Sequence, residues 1–103
     1  MLDDFLARLA RVPGEAKAVL LDPYHAHQAG GTGLTLDWGL AAECVQASHL
    51  PVILAGGLTP ENVGEAIRRV RPAGVDASSR LESEPGKKDH GKIRRFIENA
   101  RNA

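Results

Sequence analysis

Apolar positions along the chain follow two periods in alternation, and glycine, proline or a capping residue marks each change. Leu2, Phe5, Leu6 and Leu9 recur at helical spacing and predict a short amphipathic helix that ends before Pro13-Gly14. The run from Ala16 to Leu21, closed by Asp22-Pro23, reads as a buried strand, and a glycine-rich loop extends from Pro23 to Thr35. Asp37 can cap a second helix through Leu40, Ala41, Cys44, Val45 and Ser48, stopped at His49-Leu50-Pro51. Pro51 to Ala55 is a second strand, with proline first, where a missing donor costs least. Thr59 as N-cap and Pro60 at the first helical position open a third helix, with Val63, Ala66, Ile67 and Val70 on one face and Pro72 as its stop. Ala73 to Ala77 is a weaker strand leading into Ser78-Ser79. Asp89 caps a last helix whose Ile93, Phe96, Ile97 and Ala100 face one way. A helix followed by three strand-helix units, with connections long enough for right-handed crossovers, predicts an α/β fold with parallel strands.

Composition narrows the function classes. The chain has 103 residues, 43% apolar and 25% charged, which fits a single domain over 1–103 with no second domain. Thirteen basic residues balance 13 acidic ones, so no long-range field attracts nucleic acid or anionic lipid. No apolar run approaches the roughly 20 residues that span a bilayer, so no membrane partner is expected. Asp3 and Asp4 sit where a signal peptide carries basic residues, and the single Cys44 suits a reducing compartment, which together predict a cytoplasmic protein.

In parallel α/β folds chemistry collects at the carboxyl ends of the strands. Three groups lie there: Asp22, Gly56-Gly57 and Ser78-Ser79. Asp22 is placed for general-acid work, although an aspartate before Pro23 more commonly begins a turn. Gly30-Gly31-Thr32-Gly33 permits close approach of backbone amides to an anion, or serves as a flexible lid; it lacks the lysine of a P-loop. Gly56-Gly57 with Ser78-Ser79 matches the barrel phosphate site formed after the last two strands, or ordinary loop chemistry. Cys44 lies on an apolar helical stripe and is read as core. His25 and His27 lack a third ligand at suitable spacing, so no metal site is expected. Trp38 reads as a packing anchor, and Arg68, Arg69, Arg94 and Arg95 as solvated helix faces.

In their order, these residues resemble the C-terminal portion of the phosphoribosylanthranilate isomerase family, a tryptophan-pathway enzyme built as a (β/α)8 barrel. The resemblance rests on Val19-Leu20-Leu21-Asp22, Gly30-Gly31-Thr32-Gly33 with Asp37-Trp38, and Val52 to Leu58 with Pro60-Glu61-Asn62-Val63. It continues through Arg71-Pro72, Gly74-Val75-Asp76, Ser78-Ser79 and Pro85 to His90. It implies a partial TIM barrel comprising the fifth helix and βα units six to eight, in a family chain roughly twice this length. It also implies an Amadori rearrangement of a phosphorylated small-molecule substrate, phosphoribosylanthranilate, without metal or organic cofactor. By resemblance Asp22 is the general acid. Gly30, Gly31, Gly33, Gly56, Gly57, Asp76, Ser78 and Ser79 bind substrate or phosphate.

The family's general base is a cysteine in a Cys-Gly-Ile-Thr-like first strand, a segment this chain does not contain. Arg80 stands where the family usually has glycine, and Leu34 where it often has lysine. The expectation is therefore an incomplete isomerase chain. The alternative is a phosphate-binding half-barrel module that assembles with a second copy or with an N-terminal half-barrel supplied in trans.

Overall fold

The computed structural model describes residues 2–22, 38–77, 82–84 and 87–103. Helix α1 (Leu2–Leu9) leads to strand β1 (Val19–Leu21), followed by α2 (Trp38–Ala47), β2 (Val52–Leu54), α3 (Val63–Val70) and β3 (Gly74–Val75). Two short strands, β4 (Glu82–Glu84) and β5 (Lys87–Lys88), precede the last helix α4 (His90–Arg101). The helix and strand order expected from periodicity is present. The β4–β5 antiparallel pair is an addition: it carries no apolar alternation by which to find it.

Strands β1, β2 and β3 form a parallel sheet in that sequential order, with Leu21 paired to Leu54 and Leu54 to Val75. Sequential order has no reversal point. With right-handed crossovers it stacks every connecting helix on the same face of the sheet and leaves the other face without helices. Exposure along the strands shows this division. Leu21, Val52 and Leu54 are buried, whereas Leu20, one residue out of phase, is 63% exposed, and its register partner Ile53 is partly exposed. Gly74 belongs to this open face, because a Cβ there would lie 3.0 Å from the Ile53 δ-methyl. Along the covered face the helices pack side by side in the order α1, α2, α3, α4.

The core forms where helices meet the covered face. Leu54, Ala41, Cys44, Val63 and Ala66 are fully enclosed, and Phe96 of α4 closes the cluster. Cys44 is thus a core residue, as its place on the apolar stripe predicts, and burial pushes its thiol pKa up. Trp38 is a buried anchor, and among the described residues its Nε1–H has no acceptor. Arg69 is exposed, as expected of a solvated helix face, and it also makes two contacts. Its guanidinium lies 5.6 Å from the Trp38 ring centroid and 3.5 Å from Glu65, so its charge covers the outer side of the indole.

Two helix ends refine the capping expectations. The regular α-helical run of α3 begins at Val63, and Thr59 caps the turn that leads into it as the sequence predicts, its Oγ1 accepting from the Asn62 N–H at 3.1 Å. In that turn the Thr59 carbonyl accepts from the N–H groups of both Asn62 and Val63, at 3.2 and 3.0 Å. At its other end Arg71 adopts the left-handed conformation, φ 56°, its N–H donating to the Ile67 carbonyl, and Pro72 bars continuation. For α4 the expected cap is present: the Asp89 carboxylate accepts from the Lys92 N–H at 3.0 Å.

That bond, the largest influence on Asp89, holds its carboxyl below the ordinary aspartate pKa. Its contribution to stability is therefore present above the pKa of the unfolded chain and disappears as pH falls through the lower folded value. Asp89→Asn keeps a capping oxygen but does not titrate. Thermal melts across the acid range should show that the variant loses less stability than the parent as pH falls; parallel curves would contradict the cap's role.

Candidate active site

The carboxyl ends of the three parallel strands share one edge of the sheet. Beyond the last paired residues, the Ala55 N–H donates to the Leu21 carbonyl and the Asp76 N–H to the Leu54 carbonyl, both at 2.8 Å. These bonds bring Asp22, Ala55 and Asp76 into line at the strand ends. Neighbouring strands lie about 4.8 Å apart, so the Asp22 and Asp76 backbones flank the end of β2 at a separation of roughly 10 Å. Period two along a strand assigns Asp22, like Leu20, to the open face. Asp22 is partly buried and Asp76 is exposed.

Between the two aspartates the chain turns through Gly56 and Gly57, at φ 90° and 70°. Those left-handed values are open to glycine and strained for most other residues, which is why the sequence places a glycine pair there. No acceptor for the Gly56, Gly57 or Leu58 N–H is found among the described residues. The turn therefore presents backbone donors at the strand edge, the equipment of an anion site.

Sequence reasoning missed how this turn is fastened. The Asn62 Oδ1 accepts from the Thr59 N–H at 2.8 Å, and its Nδ2 donates to the Gly57 carbonyl at 3.1 Å. The Thr59 Oγ1 accepts in return from the Asn62 N–H at 3.1 Å. From α4, the Asn99 Nδ2 donates to the Pro60 carbonyl at 2.6 Å, linking residues 39 apart in sequence. The local sign is the Thr59-Pro60-Glu61-Asn62 composition, of which Thr59 and Pro60 alone mark the helix start.

Of the residues singled out from sequence, the structure brings together Asp22, Gly56, Gly57 and Asp76. Gly30, Gly31, Gly33, Ser78 and Ser79 lie outside the described residues, as do His25, His27, Leu34, Asp37 and Arg80. Among the described residues no cluster of three histidine, cysteine, aspartate or glutamate side chains could hold a metal ion. Among them, too, no helix is long and apolar enough to cross a membrane.

Comparison with known proteins decides the family. The family model described as N-(5'-phosphoribosyl)anthranilate (PRA) isomerase matches residues 3–99. The chain belongs to the phosphoribosylanthranilate isomerase family.

Among curated phosphoribosylanthranilate isomerases, that of Trichlorobacter lovleyi is 54% identical over 84 residues, 82% of this chain and 40% of the relative. Among solved structures, the phosphoribosylanthranilate isomerase of Thermococcus kodakaraensis superposes with a TM-score of 0.76 at 40% identity, over 99% of this chain and 44% of its own. Another isomerase, solved with reduced 1-(o-carboxyphenylamino)-1-deoxyribulose 5-phosphate, superposes at 0.63 and 38% identity, over 84% of this chain and 47% of its own. The 103 residues thus span under half the length of each of these three isomerases.

Proposed function

We propose that residues 1–103 are the C-terminal part of a (β/α)8 barrel, the fifth helix with βα units six to eight, and that they carry the acid and the phosphate cradle of a phosphoribosylanthranilate isomerase. The observation that carries this reading is the shared strand edge, where Asp22 and Asp76 flank the Gly56-Gly57 turn on neighbouring parallel strands. The open face fits the same reading. A barrel interior is covered by strands from the rest of the barrel, and among the described residues Leu20 and Ile53 lie on such a face, with Leu20 63% exposed.

In the proposed reaction Asp22 donates a proton to the furanose oxygen of N-(5'-phosphoribosyl)anthranilate. The C1–O bond breaks as the anthranilate nitrogen lone pair forms a C=N bond, giving an open-chain Schiff base. A base from outside these 103 residues removes the C2 proton. The electron pair moves to give an enolamine, which tautomerises to the ketone. Gly56, Gly57, Ser78 and Ser79 supply donors to the substrate phosphate, and Asp76 and the glycine-rich loop residues Gly30, Gly31 and Gly33 are assigned to substrate binding by the family resemblance. With a balanced net charge, anion binding rests on aimed backbone amides rather than on a basic surface. We infer a cytoplasmic location, which such a biosynthetic reaction and the single Cys44 favour.

The outer strands β1 and β3, with no further strand paired to them among the described residues, and the apolar open face support a second reading, a half-barrel that assembles with an N-terminal half in trans or with a second copy. One experiment separates these readings and tests the first. The 103-residue chain is assayed alone, mixed with the complementary N-terminal part of the Thermococcus relative, and fused to that part. Ketose product is followed by chromatography. The fusion should turn over. Turnover by the mixture as well would establish assembly in trans, and an inactive but folded fusion would overturn the isomerase reading.

A further inference from the structure

The Gly56-Gly57 turn is shaped from one side by a single carboxamide. Asn62 Nδ2 donates to the Gly57 carbonyl, while its Oδ1 takes the Thr59 N–H, so both ends of the side chain are committed to the loop between β2 and α3. The peptide joining Gly57 to Leu58 is planar and trans, so its C=O and N–H point in opposite directions. Holding the carbonyl towards Asn62 therefore turns the Leu58 N–H the other way. At the same time the two glycines are kept at positive φ, a conformation their free chain would leave readily. Leu58 itself is 1% exposed, so its side chain fixes the far end of the turn in the core.

We propose that Asn62 is a positioning residue of the phosphate site: through the Gly57 carbonyl it aims the Leu58 and glycine N–H donors at the anion. This rests on the reading of Gly56-Gly57 as a phosphate cradle and goes beyond it by naming what preorganises that cradle. Asn62 touches no substrate atom. It acts by removing the cost of ordering a glycine pair at the moment of binding. Asn99, which holds the Pro60 carbonyl from α4, ties the same loop to the last helix.

The test uses the 103-residue chain and inorganic phosphate, with binding read from the backbone amide resonances of Gly56, Gly57 and Leu58. Asn62→Ser is uncharged and is a favoured residue at a helix start, so α3 still forms, but its hydroxyl is too short to reach the Gly57 carbonyl. Ile67→Val, on the same helix and away from the turn, serves as a control of reduced stability. The expected result is phosphate binding by the parent, about ten-fold weaker binding by Asn62→Ser, and parent-like binding by Ile67→Val. Parent-like affinity in Asn62→Ser overturns the positioning role while leaving the phosphate site intact. Equal weakening in both variants also overturns it, because binding would then follow stability alone. A parent that does not bind phosphate overturns the cradle reading and this inference with it.

Discussion

Asp22→Asn, introduced into the fusion of this chain with the N-terminal part of its Thermococcus relative, is expected to lower kcat by about a thousand-fold and to leave KM within a few-fold. Asparagine keeps the size of the side chain and its capacity to accept a hydrogen bond, but it has no transferable proton. Ring opening needs that proton at the moment the C1–O bond breaks, because an alkoxide is otherwise a poor leaving group. The loss should therefore fall on the transition state and not on substrate binding. The position of Asp22 supports this division. It stands one residue past the end of β1, is partly buried on the open face, and is separated from the glycine turn by the spacing of one strand. Steady-state kinetics of the two proteins check it. A rise in KM with unchanged kcat would assign Asp22 to binding.

Leu54→Ala is expected to be the most damaging core change. Leu54 is wholly inaccessible to solvent and lies at the centre of the covered face, so truncation loses its burial and leaves a cavity, at a cost of about 2–5 kcal/mol. A domain of this size holds roughly 5–15 kcal/mol in total, so the variant loses a large share of its stability. Leu20→Ala removes the same atoms from the opposite face, where the side chain is 63% exposed, and should change stability by no more than about 0.5 kcal/mol. Urea unfolding of the 103-residue chain measures both. The contrast also reports on assembly: if Leu20→Ala proves as costly as Leu54→Ala, the open face is covered in solution, as a second copy would cover it. In the proposed complete barrel Leu20 would be interior, and its truncation there should approach the cost at Leu54.

Much of the fold could be read from residue order because its signals are local. Helices α1, α2 and α4 announce themselves by apolar spacing, and Asp89 by its place before α4. The fate of Cys44 follows from the stripe it shares with Leu40, Ala41 and Val45. The β4–β5 pair could not be found in this way. Its register sets Glu82 opposite Lys88 and Glu84 opposite Lys87, a pairing of charged positions with no apolar period. The cation–π contact of Arg69 with Trp38 joins residues on different helices and leaves no mark in either segment. The role of Asn62 was not legible for a different reason. The Thr59 to Asn62 turn has the composition of a helix cap, and only the three-dimensional path of the chain shows its carboxamide directed back to Gly57.

The sequence by itself determined the alternation of helix and strand, the glycine pair after β2 and the family motifs, because period, turn chemistry and motif spacing are properties of neighbouring residues. Tertiary structure decided two further things. It aligned Asp22, Asp76 and the glycine turn on one edge, through hydrogen bonds between segments some thirty residues apart such as Ala55 to Leu21. It also decided which sheet face is open: period two separates Leu20 from Leu21, but only the sequential strand order with helices on a single side determines which of them is left uncovered.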